Sequence, residues 1–411
     1  MPDDSGAARA RQRTGTGIGL LLALVLGAAL LIALPDDDGS DAGACRALTV
    51  GSWKADDGLT AEFARYGDDA SRTDDWTGGD GTHSVRLPDG RVLWLFSDTY
   101  LGRVYGPPNP HGESYAWRDA TTPLVRNSAV LMRDGRLEST LPAPLFADPA
   151  PDQWRWPVAA RVEPRSPGSS EQVVRVLLWV RTAGQAPWIY GVPTATEVAT
   201  LSLPGLRLES IVKVLDQQSV RDASRRVLFG TTLVEEDGWT YVFGGDDGRA
   251  VSRPASHAYA ARVPEGGLAD PDAWQYWSGS AWVPGVRPRP VLGDGQRKGV
   301  GSAFSVVRDS GTYVLFTMAA GPKGLTTVAS YWACSPAGPW HGPAKEFSPS
   351  LPQGQVAAYN PQAHPVLSGE GRLVLSYDVN WLGTTGAAAQ LSRNVSLYRP
   401  RFVTLRLAAA R

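Results

Sequence analysis

The sequence predicts an all-β chain, a five-bladed β-propeller preceded by one N-terminal transmembrane helix. Three observations carry that expectation. Glycines that close short hairpin turns stand at positions 90, 168, 238, 311 and 371, in steps of 78, 70, 73 and 60. Each is followed by a dense β-forming run: RVLWLFSD, VVRVLLWV, WTYVFGGD, TYVLFTM and RLVLSYDVN, the second being the faintest copy. A strand unit repeated at that period, with no helical periodicity after Pro35, marks a propeller, and a β-sandwich would not space its hairpins so evenly. The third observation is one unbroken apolar or small run, GIGLLLALVLGAALLIAL, over residues 17–34.

That run reaches roughly 27 Å as a helix, enough to cross a bilayer core. Arg9, Arg11 and Arg13 precede it and Asp36 to Asp38 follow it, which puts residues 1–16 in the cytoplasm and the remainder outside. The expected organisation is a cytoplasmic segment 1–16, a signal-anchor 17–34, an extracytoplasmic tether 35–50 and a propeller domain 51–408. Ala42-Gly43-Ala44 has the small-x-small form of a cleavage site but stands far from the apolar run. An uncleaved anchor is therefore expected, with a secreted protein as the alternative. Outside the cell Cys45 and Cys334, the chain's two cysteines, are free to pair or to remain two thiols.

Composition narrows the function. A net charge of -1 with 20% charged residues gives no reason to expect nucleic acid as a partner. Fifteen Trp among 45 Gly and 32 Pro describe a turn-rich sheet protein with many flat apolar faces of the kind that suit sugar rings. His83, His111, His257 and His341 have no metal spacing between them. No metal or other cofactor is expected, and the chain should be a monomer. A Gly-x-Ser-x-Gly elbow and a Walker loop are both absent.

The stretch 74–101, DDWTGGDGTHSVRLPDGRVLWLFSDTYL, concentrates the chemistry. THSVRL and RVLWLFSD read as a hairpin turned at Asp89-Gly90. Asp80, in a Gly-Gly-Asp-Gly loop, precedes the first strand, and Asp98 follows the second. Pairing of the strands brings these two acids to one end of the hairpin. Hydrolysis of a glycosidic bond needs such a pair, one carboxyl protonated and one ionised. Each aspartate read singly would be a turn former. Asp246 occupies the place in its hairpin that Asp98 has in the first, and Asp378 sits in Ser376-Tyr377-Asp378-Val379-Asn380, a repetition that a structural aspartate would also show.

In a propeller the innermost strands open at one end of the central channel, so the first strand of each copy should supply the site. That adds His83, Asn127, Ser302, Tyr359, Asn360 and His364 as expected substrate contacts. His364 reads equally well as a histidine hydrogen-bonded within the channel. The segments 103–119, 184–193 and 283–295 read as long loops, the first able to shape a cleft. RFVTLRL, 401–407, is expected to close the ring against the first blade.

TGGDGTHSVRLPDGRVLWLFSDTYLG, RNSAVL and YNPQAHPVLSGEGRLVLSYDVN resemble an actinobacterial family of domains of unknown function that includes endo-D-arabinofuranases. More distantly they resemble five-bladed propeller glycosidases such as arabinanases and arabinofuranosidases. The resemblance spans about Trp53 to Leu407. It implies a glycoside hydrolase acting on a cell-envelope polysaccharide such as D-arabinan, with essential aspartates matching Asp80 and Asp98. The glycine common before the second aspartate is Ser97 here. The alternative is a non-catalytic propeller that binds carbohydrate or protein at the cell surface. A sialidase is disfavoured, because the repeated Ser-x-Asp-x-Gly-x-Thr-Trp turns of that group are absent.

Overall fold

Five antiparallel sheets follow one another along the chain in the computed structural model, which describes residues 45–410 apart from 189, 249–254, 322–323, 353–355, 370 and 382–385. Blade I comprises His83–Arg86, Val92–Phe96, Ser128–Arg133 and Arg136–Thr140. Blade II comprises Gln153–Pro164, Gln172–Thr182, Val192–Leu201 and Leu208–Asp216. Blade III is built on Val227–Glu236, Trp239–Asp246 and Ala258–Pro264, extended by short strands to Leu292. Blade IV comprises Ser305–Asp309, Thr312–Gly321, Gly324–Ala333 and His341–Phe347. Blade V comprises Val356–Ala363, Leu373–Trp381 and Arg401–Ala409, with Leu48–Ala55 as its outer strand.

The five turn glycines all fall between the first and second strands of these blades. Each has a positive φ, from 62° at Gly371 to 87° at Gly90, a region glycine enters without the steric cost a Cβ would impose. The faint copy at Gly168 introduces a full blade with strands as long as any other.

A propeller-like ring follows from the packing. Apolar side chains fill the space between each blade and the next, for example Val85 and Leu95 against Val176 and Leu178 between I and II. Equivalent clusters join II to III, III to IV and IV to V. Trp94 and Phe96 of blade I pack with Val374 and Phe402 of blade V, closing the circle. All five residues of Val92–Phe96 are buried, as a strand covered on both faces should be.

Three expectations need correction. Arg401–Ala409 does not reach the first blade; it is the third strand of blade V. The seal comes from Leu48–Ala55, which pairs with it from Leu48↔Ala409 to Ala55↔Val403 and so covers the edge that this third strand would otherwise leave open. This strand also starts inside the expected tether. Second, Asp57–Gly67 is an α-helix, capped by Asp56, whose side chain accepts the Leu59 N–H at 3.1 Å. Leu59, Phe63 and Tyr66 repeat at helical spacing, and Phe63 is fully buried against Trp76, Trp94 and Phe402 over the I–V seam. Third, the 103–119 loop forms no wall of the central cavity. It is pinned to the short helix Ala387–Arg393 through Asn109 and Glu113, which both bond to Arg393.

Cys45 and Cys334 are joined in a disulfide with a Cα–Cα distance of 5.5 Å, tying the sealing segment to blade IV. The expected transmembrane segment 17–34 lies outside the described residues. Among the described residues no helix is long and apolar enough to cross a membrane.

Candidate active site

A cavity of about 430 Å³ opens where the blades converge, lined by residues from all five. Register shifts in the inner strands of blades II, III and V, at Pro157/Ala160, Phe229/Thr232 and Tyr359/Gln362, break the regular alternation around the channel. Bulges of this kind re-aim side chains. At the one in blade V, Tyr359 and Asn360 both reach the cavity wall, Asn360 with a φ of 49° that an asparagine tolerates better than most residues.

The Gly-Gly-Asp-Gly loop owes its glycines to close approach. A Cβ at Gly78 would overlap the Tyr398 carbonyl, and one at Gly81, where φ is 62°, would overlap the Ser97 side chain. The small residue at 97 is thus a packing requirement of the loop opposite. The Asp80 N–H donates to the Asp98 carbonyl at 3.2 Å and the Ser97 N–H donates to the Asp80 carbonyl at 2.7 Å. These bonds hold the two aspartates at one end of the hairpin.

Their side chains part company. Asp80 lines the cavity, where the Tyr359 hydroxyl donates to its Oδ2 at 2.7 Å and the Tyr398 hydroxyl donates as well. Burial pushes its pKa well above the ordinary carboxylate range, and the charges of Asp98 and Asp378 push it further, against the pull of the two phenols. Asp98 is not part of the cavity wall. Its carboxylate accepts the Trp156 Nε1–H at 2.7 Å and pairs with Arg126 at 3.1 Å. Burial still raises its pKa, outweighing both partners.

Asp378 is the third member of this cluster. It is 1% exposed and accepts from the Gly81 N–H and the Thr82 hydroxyl, each at 2.7 Å, and from the Asn360 amide at 3.2 Å. Burial raises its pKa to about 6. It holds the Asp80 loop rather than facing substrate.

Of the expected contacts, His83, Ser302, Tyr359 and Asn360 line the cavity. Burial pushes the pKa of His83 down to about 3, so the ring there is neutral. His364 does not line the cavity: it is buried, with Ser84 and Ser376 hydroxyls at 2.8 Å from its two ring nitrogens. Asn127 does not line it either. Its amide is spent on Phe146 and the Arg155 carbonyl, fastening the connection from blade I to blade II.

Blade II supplies what the sequence reading missed. Trp156 and Trp179 from its strands and Trp188 and Tyr190 from its 184–193 loop line one side, and Trp381 of blade V adds another indole. Arg181, at the end of the second strand, donates to the Gly191 carbonyl at 3.0 Å and to Asp247 Oδ2 at 2.7 Å. Its guanidinium carbon lies 5.3 and 5.6 Å from the ring centroids of Trp156 and Trp179. Asp98 follows the second strand of blade I, Arg181 and Asp246 stand at the ends of those of blades II and III, and Asp378 lies within that of blade V. Among the described residues no group of three or more His, Cys, Asp or Glu is placed to hold a metal ion.

Residues 62–407 match the family described as Domain of unknown function (DUF5005), and the chain belongs to it. No curated protein sequence matches. A Bacteroides ovatus ATCC 8483 protein, assigned only provisionally as a hydrolase, shares the fold: TM-score 0.61 at 18% identity, over 88% of this chain and 93% of that one. An α-L-arabinofuranosidase from Podospora anserina aligns at TM-score 0.48 and 12% identity, over 82% of this chain and 92% of that one. The catalytic domain of a GH62 α-L-arabinofuranosidase from Coprinopsis cinerea aligns at TM-score 0.48 and 14% identity, over 83% and 94%.

Proposed function

We propose that this member of the DUF5005 family is a glycoside hydrolase acting outside the cytoplasm on a cell-envelope polysaccharide, D-arabinan being the substrate to which the sequence resemblance points. One observation carries the reading. Asp80 presents to a sugar-sized, indole-lined cavity a carboxyl group whose hold on its proton is strengthened by burial and two neighbouring carboxylates. A carboxylic acid so tuned is suited to protonate a departing glycosidic oxygen. Asp98, paired with Arg126 and Trp156 behind the wall, keeps that proton on Asp80. His83, Ser302 and Asn360 are placed to bond sugar hydroxyls, and the indoles offer faces for the rings. Export is supported by the disulfide, which suits an oxidising compartment, and by the apolar run at 17–34 as membrane anchor. The chain is taken to act as a monomer, without cofactor.

The test is to incubate the purified full chain with arabinan, arabinogalactan and lipoarabinomannan and to size the products. Release of oligosaccharides by the native chain, with Asp80→Asn binding the glycan but releasing none, supports the reading. Binding without release by the native chain favours a carbohydrate-binding propeller instead, and undiminished release by Asp80→Asn removes Asp80 from the chemistry.

A further inference from the structure

We propose that Asp247, held by Arg181 on the blade III side of the cavity, is the second catalytic carboxylate, the group that accepts the proton of the attacking water. This rests on the hydrolase reading and replaces the hairpin pair by one that spans the cavity.

Among the described residues Asp80 and Asp247 are the two carboxylates that line the cavity. The other acids nearby are committed elsewhere. Asp98 accepts from Arg126 and Trp156. Asp378 is consumed by the loop it holds. Asp246 is fully buried and accepts from the His257 and Tyr259 side chains. Asp247, by contrast, uses Oδ2 alone, for Arg181. Its Oδ1 takes no hydrogen bond from the described residues and is free to receive one from water.

Glycoside hydrolysis asks for an acid and an ionised carboxylate on either side of the scissile bond. Asp80 precedes the first strand of blade I, and Asp247 follows the second strand of blade III, a blade that is not its neighbour. A substrate between them meets one on each side. The two are also opposite in electrostatic setting. Asp80 sits among carboxylates, whereas Asp247 faces the Arg181 guanidinium at 2.7 Å. Arg181 is itself fixed, by the Gly191 carbonyl and two indoles, so Asp247 is held in place before substrate arrives. Arg181 is a positioning residue here.

In the step, the bond from the anomeric carbon to the bridging oxygen breaks as that oxygen takes the proton of Asp80. The water oxygen bonds to the anomeric carbon and its proton passes to Asp247 Oδ1. One water is consumed, and both carboxyls return to their starting states by proton exchange with solvent.

The experiment uses the full chain with Asp247→Ala and Asp247→Asn, assayed with and without azide on the best glycan. A fall of roughly 10²–10⁴-fold in kcat in both, with azide restoring turnover in Asp247→Ala and a glycosyl azide among the products, is the expected result. Should either variant keep native turnover, or should a folded Asp247→Ala stay inactive in azide, Asp247 is structural and the assignment falls. If Asp247→Ala does not fold, Asp247→Asn alone decides by its turnover. These outcomes all presuppose that the native chain cleaves glycan. A native chain inert towards every glycan brings down the hydrolase reading itself, and this inference with it.

Discussion

The Asp80 N–H donates to the Asp98 carbonyl at 3.2 Å, yet the carboxyl group of the first lines the cavity while that of the second lies behind Trp156. The backbone joins the two residues and the side chains take different work. The Asp98 charge raises the pKa of Asp80, so removing that charge lowers it. In Asp98→Asn the alkaline limb of the kcat/KM profile, where the acid loses its proton, should move to lower pH. A pH–rate series on both proteins measures it; an unmoved limb would show that Asp98 does not tune Asp80.

Tyr359 acts with the opposite sign. Its hydroxyl donates to Asp80 and favours the ionised carboxyl. Tyr359→Phe should raise the pKa of Asp80 and move the same limb to higher pH, with the protein still folded by circular dichroism.

Asp378 links the site to stability. Its folded pKa of about 6 lies above the 3.8 of an ordinary aspartate, so the folded state binds this proton more tightly than the unfolded state does. The stabilisation is complete below about pH 4 and is lost as pH rises through 6. Denaturant unfolding of the native chain and of Asp378→Asn should therefore diverge by a few kcal/mol between pH 4 and 7, with the native chain losing more. Parallel curves across that window would remove Asp378 as a buried titrating group.

The Cys45–Cys334 bridge spans a sequence separation of 289. Replacing both cysteines by serine should cost about 2–5 kcal/mol of stability, read as a lower midpoint in denaturant, with the rate of the chemical step nearly unchanged because the bridge is remote from the cavity lining.

Trp188, half-buried on the blade II loop, offers a ring face to substrate. Trp188→Ala should raise KM by roughly fivefold, the equivalent of about 1 kcal/mol for a lost aromatic contact, with kcat little changed. A fall in kcat alone would mean that the loop shapes the chemistry and not the binding.

The fold was legible because its punctuation is local. Turn glycines at 90, 168, 238, 311 and 371 are dictated by positive φ, and a two-strand unit with a glycine turn announces itself within about ten residues. Asp80 was legible for the same reason, since Gly78 and Gly81 mark a backbone in close contact with something else. What escaped depended on long range. Asn127 and His364 look like ligands in sequence, and only the neighbours that consume them, Phe146 or Ser84 and Ser376, show otherwise. Arg181 and Asp247 are 66 residues apart, and nothing near either one signals the pair, although Asp246-Asp247 doubles an acid where the copies of blades I and V carry one. The helix Asp57–Gly67 had its signal in Leu59, Phe63 and Tyr66, but an 11-residue segment is brief for periodicity to stand out.

The seal of blade V bears on how the molecule is made. Leu48 finds its partner in Ala409, so a strand that precedes blade I in sequence is satisfied only once blade V has formed. Blades I to IV are able to assemble in the order of synthesis, whereas this strand keeps open N–H and C=O groups until Arg401–Ala409 is in place. Losing Arg401–Ala409 would therefore uncover an adhesive edge at the far side of the sequence.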